Sequence, residues 1–160
     1  MKRFQLLVAL PLLMLPGIAD ARPAERTPVE YFRRPGSTAP FSPAVRVGDT
    51  LYLSGMIGAR ADGTLPEAFE EQARQAMDNL GAVLTMAGRG WGDVVHCTVI
   101  LNDMADWPAL NRLYVGYFKG RNLPARSAFG AKGLALGAKV EIECQAYAPA
   151  APAGSSGRAP

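Results

Sequence analysis

A strictly alternating segment near the end of the chain, residues 140–147, most constrains what this chain can fold into. The apolar residues of the segment would point to one side of an extended strand: Val140, Ile142, Cys144 and Ala146. The residues between them are two glutamates, a glutamine and a tyrosine, which would point to the other side. A period of two is typical of a strand that is buried on one face. The segment therefore predicts a sheet with one packed face, which needs a second layer to cover it.

An amphipathic helix predicted over residues 66–87 supplies that layer. Apolar residues recur along it at steps of three and four, which indicates one buried stripe. Pro66 suits the start of this helix and Gly88 its C-terminal cap. A second helix, with a packed aromatic face, is predicted over about 106–120.

Further strands are predicted at 29–32, 44–47, 51–57 and 94–101. A Gly-Asp turn between the second and third of these predicts a β-hairpin. The order of strand, helix and strand predicts that 51–57 and 94–101 form a parallel pair with a right-handed crossover. Strand 94–101 is apolar on both faces except at His96 and Thr98, so we expect another subunit to cover its second face. These elements predict an α/β (α+β) domain with a single mixed β-sheet and two helices packed on one face.

Two charged residues, Arg126 and Glu141, suggest a chemistry. Arg126 lies just after Pro124, where a strand could begin, and Glu141 lies in the alternating strand. If the two segments are neighbours, a guanidinium and a carboxylate meet on one wall of a cleft. The guanidinium can bind a small carboxylate bidentately, and the glutamate can exchange protons with water. The pair is a minimal set for metal-free hydrolysis of a small anionic substrate, but a structural ion pair is the favoured interpretation of these two residues alone.

The surroundings of these residues carry a resemblance to a known family. The motifs lie at 41–49, 51–55, 71–73, 77–80, 111–114, 117–118, 124–127 and 140–143. In this order and spacing, the set resembles the Rid family of reactive intermediate deaminases, also called YjgF-like or L-PSP proteins, over roughly 29–148. The resemblance implies a chorismate-mutase-like fold and a homotrimer with active sites in the clefts between subunits. It also implies hydrolysis of 2-imino or enamino acids to 2-keto acids and ammonia, without a metal or a cofactor.

The resemblance assigns roles to individual residues of this chain. Arg126 falls on the family's carboxylate-binding arginine and Glu141 on its water-positioning acid. Asn111 falls on the cleft asparagine, and Gly55 on the glycine whose backbone approaches the ligand. Main-chain groups near Ser127 would help to orient the substrate.

Three positions of the predicted site depart from the family pattern. Phe41 stands where tyrosine is common, Met56 where glutamine is usual, and Ala128 where the best-known members have cysteine. Phe41 and Ala128 are still expected to line the substrate site. The departures bear on the range of substrates more than on the carboxylate grip of Arg126.

The start of the chain has the parts of a secretory signal peptide. A basic residue pair is followed by a short apolar stretch and by Ala19-Asp20-Ala21, which suits signal peptidase. We therefore expect a signal peptide at 1–21, a Rid-like domain at 22–148 and a disordered tail at 149–160. The mature protein would be periplasmic or secreted, without a membrane segment.

Charge and cysteine content limit the other functions. The formal charge of the chain is +3, and removal of Lys2, Arg3 and Asp20 leaves 3 − 2 + 1 = +2. This mild charge does not favour nucleic acid, so an endoribonuclease remains the weaker alternative. With one histidine and no paired cysteine motif, no metal site is predicted. Cys97 and Cys144 could form a disulfide, but buried free thiols are the favoured expectation.

A binding module of the same fold is the second function considered. Such a trimer would hold a small carboxylate, for example a 2-imino or 2-keto acid, without turning it over. Export motivates this alternative because reactive enamines arise mainly in cytoplasmic amino-acid chemistry.

Overall fold

The computed structural model describes residues 27–149, which form one mixed sheet and two α-helices. The strands are β1 (Val29–Phe32), β2 (Ala44–Val47), β3 (Thr50–Leu53), β4 (Met56–Ile57), β5 (Val94–Leu101), β6 (Ala125–Gly130) and β7 (Val140–Tyr147). The helices are α1 (Phe69–Met86) and α2 (Trp107–Tyr114). The predicted signal peptide and the tail beyond Pro149 lie outside the described residues. Within them, neither helix has the length and apolarity needed to cross a membrane.

The sheet confirms the predicted fold class but corrects its strand order. The order is β1-β2-β3-β7-β5-β6, and β4 also pairs with β7. The predicted hairpin is formed by β2 and β3. The predicted parallel pair of 51–57 and 94–101 is wrong, because β7 lies between these strands and is antiparallel to both. The crossover rule considers only consecutive strands, and here the last strand of the chain inserts between two earlier ones.

The parallel pair that does form is β5 and β6, which are connected through α2. The predicted single strand over 51–57 is interrupted at Ser54 and Gly55, so that β3 and β4 pair separately with β7. This interruption matters for the site, because it leaves a short irregular segment against the middle of the central strand.

Helix α1 covers one face of the sheet with the predicted apolar stripe. It begins at Phe69, three residues after the predicted start, and ends at Met86. Gly88 has φ +69° and caps the helix as predicted, because a left-handed conformation is costly for other residues. The buried residues of α1 are Phe69, Gln72, Ala73, Ala76, Met77, Leu80, Val83 and Leu84. We call the covered face, which carries Cys97, Val99, Ile142 and Cys144, the helix face of the sheet, and the other the open face.

The two cysteines form a disulfide, so the prediction of free thiols is wrong. Cys97 of β5 lies directly opposite Cys144 of β7 in the antiparallel register, and both are buried. The apolar phase of each strand places its cysteine on a packed face, but that phase does not reveal which strands are neighbours. The neighbour relation arises only when β7 inserts beside β5.

Candidate functional site

Arg126 lies on the helix face, at the start of the edge strand β6, with its guanidinium against α2. Its Cα is in register with Cys97, which fixes the side of the sheet. The guanidinium carbon lies 4.6 Å from the ring centroid of Trp107 and 4.5 Å from that of Tyr114. Its Nη2 donates a hydrogen bond to Oδ1 of Asn111 at 2.6 Å. We call these four residues the arginine cluster.

The arginine cluster arises from the spacing of residues along α2. Trp107, Asn111 and Tyr114 are separated by four and three positions, so one side of the helix presents all three to Arg126. The two rings attract the cation through their π faces, and the amide fixes one edge of the guanidinium. The guanidinium is therefore held in one orientation before any ligand arrives.

The electrostatics of the arginine cluster favour an anionic ligand. Within residues 27–149, the ion pairs are Arg46 with Glu30 and, at 3.8 Å, Arg60 with Glu71, so no carboxylate neutralises the Arg126 charge. Burial raises the pKa of Tyr114 to about 12, although the nearby Arg126 charge lowers it in part. Tyr114 therefore stays neutral at physiological pH, and its ring adds no negative charge to the cluster.

Glu141 lies on the open face, against the irregular segment between β3 and β4. A Cβ added at Gly55 would overlap the Glu141 carboxylate, lying 2.9 Å from its carboxyl carbon. Only glycine therefore allows the carboxylate to lie directly over the backbone at this position. The Ser54 side chain supports the segment, because its hydroxyl donates a 2.7 Å hydrogen bond to the carbonyl of Ser42. We call Glu141 and Gly55 the glutamate pair.

The arginine cluster and the glutamate pair lie on opposite faces of one chain's sheet. Arg126 shares its register row with Cys97 and Cys144, whereas Glu141 neighbours Ile142 and points to the other side. The predicted single cleft wall is therefore not formed within one chain. The alternative of a structural ion pair between Arg126 and Glu141 is not formed either. The sequence identified both residues, but it did not reveal that they lie on opposite faces of the sheet.

The remaining predicted site residues, Ala128, Ser127 and Phe41, lie in different parts of the structure. Ala128 lies on the helix face of β6, two residues beyond Arg126, and packs against the core. Ser127 lies on the open face, in register with Thr98. Phe41 precedes β2, is half exposed and lines a cavity beside Met56.

Trp107 and Tyr114 are the residues that sequence reasoning missed as site residues. They were recognisable only as members of the packed face of α2. The signal that identifies them is their spacing of one turn on either side of Asn111.

No group of three or more His, Cys, Asp or Glu side chains in residues 27–149 is arranged to hold a metal ion. The titratable groups are instead the Arg126 guanidinium and the neutral Tyr114 on the helix face, and the Glu141 carboxylate on the open face. The guanidinium can bind a small carboxylate, and a carboxylate such as that of Glu141 can move protons to and from water.

Comparisons with known proteins identify the relatives of this chain. The family model described as Endoribonuclease L-PSP matches residues 32–148. The chain is 41% identical over 120 residues to a protein of Mus musculus named 2-iminobutanoate/2-iminopropanoate deaminase, covering 74% of this chain and 88% of that one.

Solved structures share the fold. A protein of the conserved Rid family from Yersinia pestis superposes with a TM-score of 0.71 at 34% identity, covering 75% of this chain and 99% of that one. E. coli TdcF with bound serine superposes with a TM-score of 0.67 at 30% identity, covering 74% and 96%.

Proposed function

The chain belongs to the Rid family, and from this premise we propose that it is a deaminase that hydrolyses small 2-imino acids to 2-keto acids and ammonia. Relatives at about 40% identity that are named for this reaction support an enzyme acting on imines. The observation that carries the proposal is the Arg126 guanidinium, which two rings and an amide hold in place without any neutralising carboxylate. A substrate carboxylate fits this site.

Arg126 fixes the substrate by two parallel hydrogen bonds to its carboxylate. Asn111 accepts from Arg126 and so holds the guanidinium plane, which in turn sets the direction of the C2 imine. The Trp107 and Tyr114 rings exclude water from the hydrogen bonds between the guanidinium and the substrate carboxylate, and this strengthens those bonds.

Glu141 handles the proton transfers in the proposed reaction. Its carboxylate takes a proton from water as the water oxygen adds to C2, and the electron pair of the C=N bond moves to the nitrogen, which takes a proton from solvent. Glu141 then returns its proton to the nitrogen of the tetrahedral intermediate, the C–N bond breaks, and ammonia leaves. The hydroxyl group releases its proton to solvent as the keto group forms, so the overall change is imine plus water to ketone plus ammonia.

A site that uses both residues requires two copies of the chain. The arginine cluster of one subunit would face the glutamate pair of its neighbour, in line with the homotrimer expected for this family. The open face supports this assembly, because it exposes large apolar and aromatic side chains: Val29, Tyr31, Val47, Tyr52, Phe129 and Tyr147. All of these except Phe129 lie on the neighbouring strands β1, β2, β3 and β7, and an exposed apolar patch of this kind is typical of a protein interface.

Replacing Glu141 with glutamine is expected to lower kcat about 100-fold, because the amide cannot accept a proton from water. KM should change little, since the carboxylate grip of Arg126 is intact. Glu143→Gln is the matched control, because Glu143 lies on the same face of β7, exposed and two residues away. Steady-state kinetics on a 2-imino acid measure both variants. Equal losses from the two substitutions would contradict the assigned role.

Mixing two inactive variants tests whether the site is shared between subunits. Arg126→Ala and Glu141→Gln subunits, unfolded together and refolded, would form sites in which each residue comes from a different intact copy. In randomly assembled trimers, each site takes its arginine cluster from one subunit and its glutamate pair from the neighbour. Both parts are then intact in about a quarter of the sites. We expect about that fraction of wild-type activity from the mixture and almost none from either variant refolded alone. A mixture as inactive as its components would exclude the shared site.

A non-catalytic carboxylate-binding trimer is the second candidate. One observation favours it: the arginine cluster is complete within one chain and needs no contribution from Glu141. A rise in melting temperature with 2-keto acids, combined with no turnover of any 2-imino acid, would favour binding over catalysis.

We also propose that the protein acts outside the cytoplasm. The signal-like start of the sequence supports export, and the disulfide supports an oxidising compartment. Intact mass spectrometry of the periplasmic fraction after expression of the full chain should show a protein that begins at Arg22. Retention of residues 1–21 on a cytoplasmic protein would contradict the proposal.

A further inference from the structure

A cavity of about 360 Å³ lies on the helix side of β4, between α1 and the segment that leads into β2. It contains no residue of the arginine cluster and neither member of the glutamate pair, although it includes Phe41. Its volume is at the lower end of the range for small-molecule sites. It therefore suits a compact ligand.

One wall of this cavity is apolar. Phe41, Pro43, Met56 and Val83 present a ring, a proline, a thioether and a branched side chain to the same space. Such a surface favours an aromatic or branched hydrocarbon group, because burial of that group removes apolar area from water. An inorganic anion would leave this wall without a partner.

The charged lining of the cavity is entirely positive. Arg34 and Arg60 contribute two guanidinium groups, and no aspartate or glutamate lines the space. Arg60 has only a loose ion pair, 3.8 Å from an exposed Glu71. Arg34 is in neither of the ion pairs of residues 27–149. Two guanidinium groups beside an apolar wall complement a single carboxylate attached to an apolar group.

The shape of the cavity is held by hydrogen bonds from α1. The amide of Asn79 donates to the carbonyls of Ile57 and Ala59 at 3.0 and 2.9 Å, and its Oδ1 accepts from Gln75 at 2.9 Å. These bonds fix the end of β4 against the helix, so the cavity exists before a ligand binds. Such pre-organisation lowers the entropic cost of binding.

We propose that this cavity is a second binding site, which takes a small monocarboxylate with an aromatic or branched apolar group. The carboxylate lies between Arg34 and Arg60, and the apolar group packs on Phe41 and Met56. Met56 directly follows Gly55, so the occupant contacts the segment whose backbone supports Glu141.

Isothermal titration calorimetry with phenylacetate tests the proposal in the Arg126→Ala protein, where the other carboxylate site is removed. The expected result is one bound phenylacetate per chain. The Arg34→Ala/Arg60→Ala substitution should weaken phenylacetate binding about tenfold or more, through loss of charge-assisted hydrogen bonds. Both arginines lie on exposed loops, so these substitutions are not expected to disturb the core.

The matched control is Arg74→Ala/Arg112→Ala, which removes the same charge from exposed positions outside this cavity. It should leave the affinity within about twofold, because distant exposed charges are screened by salt. Ala61→Trp, which puts a large ring at an exposed residue that lines the cavity, should abolish binding, and neutral phenylacetamide should bind more weakly than phenylacetate. Absence of phenylacetate binding, or equal affinity in the two double variants, would overturn the proposal while leaving the deaminase function intact.

Discussion

Arg126→Ala is expected to lower kcat/KM on 2-imino acids by about a thousandfold. The substitution removes the bidentate, charge-assisted hydrogen bonds to the substrate carboxylate and the orientation that they impose on the C2 imine. Losing both the binding and the orientation raises the free energy of the transition state. The empty space between Trp107 and Tyr114 retains no positive charge that could replace the guanidinium. Arg126→Lys should recover part of the activity, since a point charge attracts the carboxylate without fixing its plane.

A coupled assay measures this effect. An amino-acid oxidase generates 2-imino acids from several amino acids, and the rate of keto-acid release is followed with and without the mature protein. Arg112→Ala is the matched control, because Arg112 is an exposed arginine of α2 that lies next to Asn111 but outside the arginine cluster. Full acceleration by the Arg126→Ala protein would reject the deaminase assignment for this site.

Reduction of the Cys97–Cys144 disulfide is expected to lower the free energy of unfolding by about 4 kcal/mol. The bond links residues 47 positions apart, and the loss follows from the loop-closure entropy that such a crosslink removes from the unfolded chain. Because the disulfide joins the two central strands β5 and β7, its reduction should lower the stability of the whole domain.

Urea unfolding with and without a phosphine reductant tests this prediction at one fixed protein concentration, because assembly also affects apparent stability. The Cys97→Ala/Cys144→Ala variant is the control: its unfolding midpoint should not respond to the reductant. Thiol titration of the native oxidised protein should detect no free cysteine. Two titratable thiols, or a wild-type midpoint that the reductant does not change, would contradict the crosslink.

The local elements were predictable because each leaves a periodic signal in the sequence. The alternation at 140–147 and the apolar run at 94–101 gave the two central strands with the bounds that the structure has. The stripe over 66–87 gave α1 to within three residues, and Gly88 gave its end. These signals depend on neighbours in the chain, which the sequence contains directly.

The candidate site was predictable only in part. The resemblance to the Rid family singled out Arg126, Asn111, Gly55 and Glu141, and the structure brings the first pair and the second pair together. Periodicity alone would have assigned none of these roles. The aromatic walls at Trp107 and Tyr114 were recognised as packing residues, and their second role follows from where β6 meets α2.

By itself, the sequence determined the two central strands, the β2–β3 hairpin and α1, and it determined the apolar side of α1 and of β7. The family resemblance singled out the candidate site residues. Only the tertiary structure decided that β7 lies between β3 and β5, that Cys97 meets Cys144, and that Arg126 and Glu141 lie on opposite faces. The physical reason is that strand order and register are set by contacts between distant parts of the chain. Because side chains alternate across a strand, a register shift of one residue moves a side chain to the other face, and no local pattern records that choice.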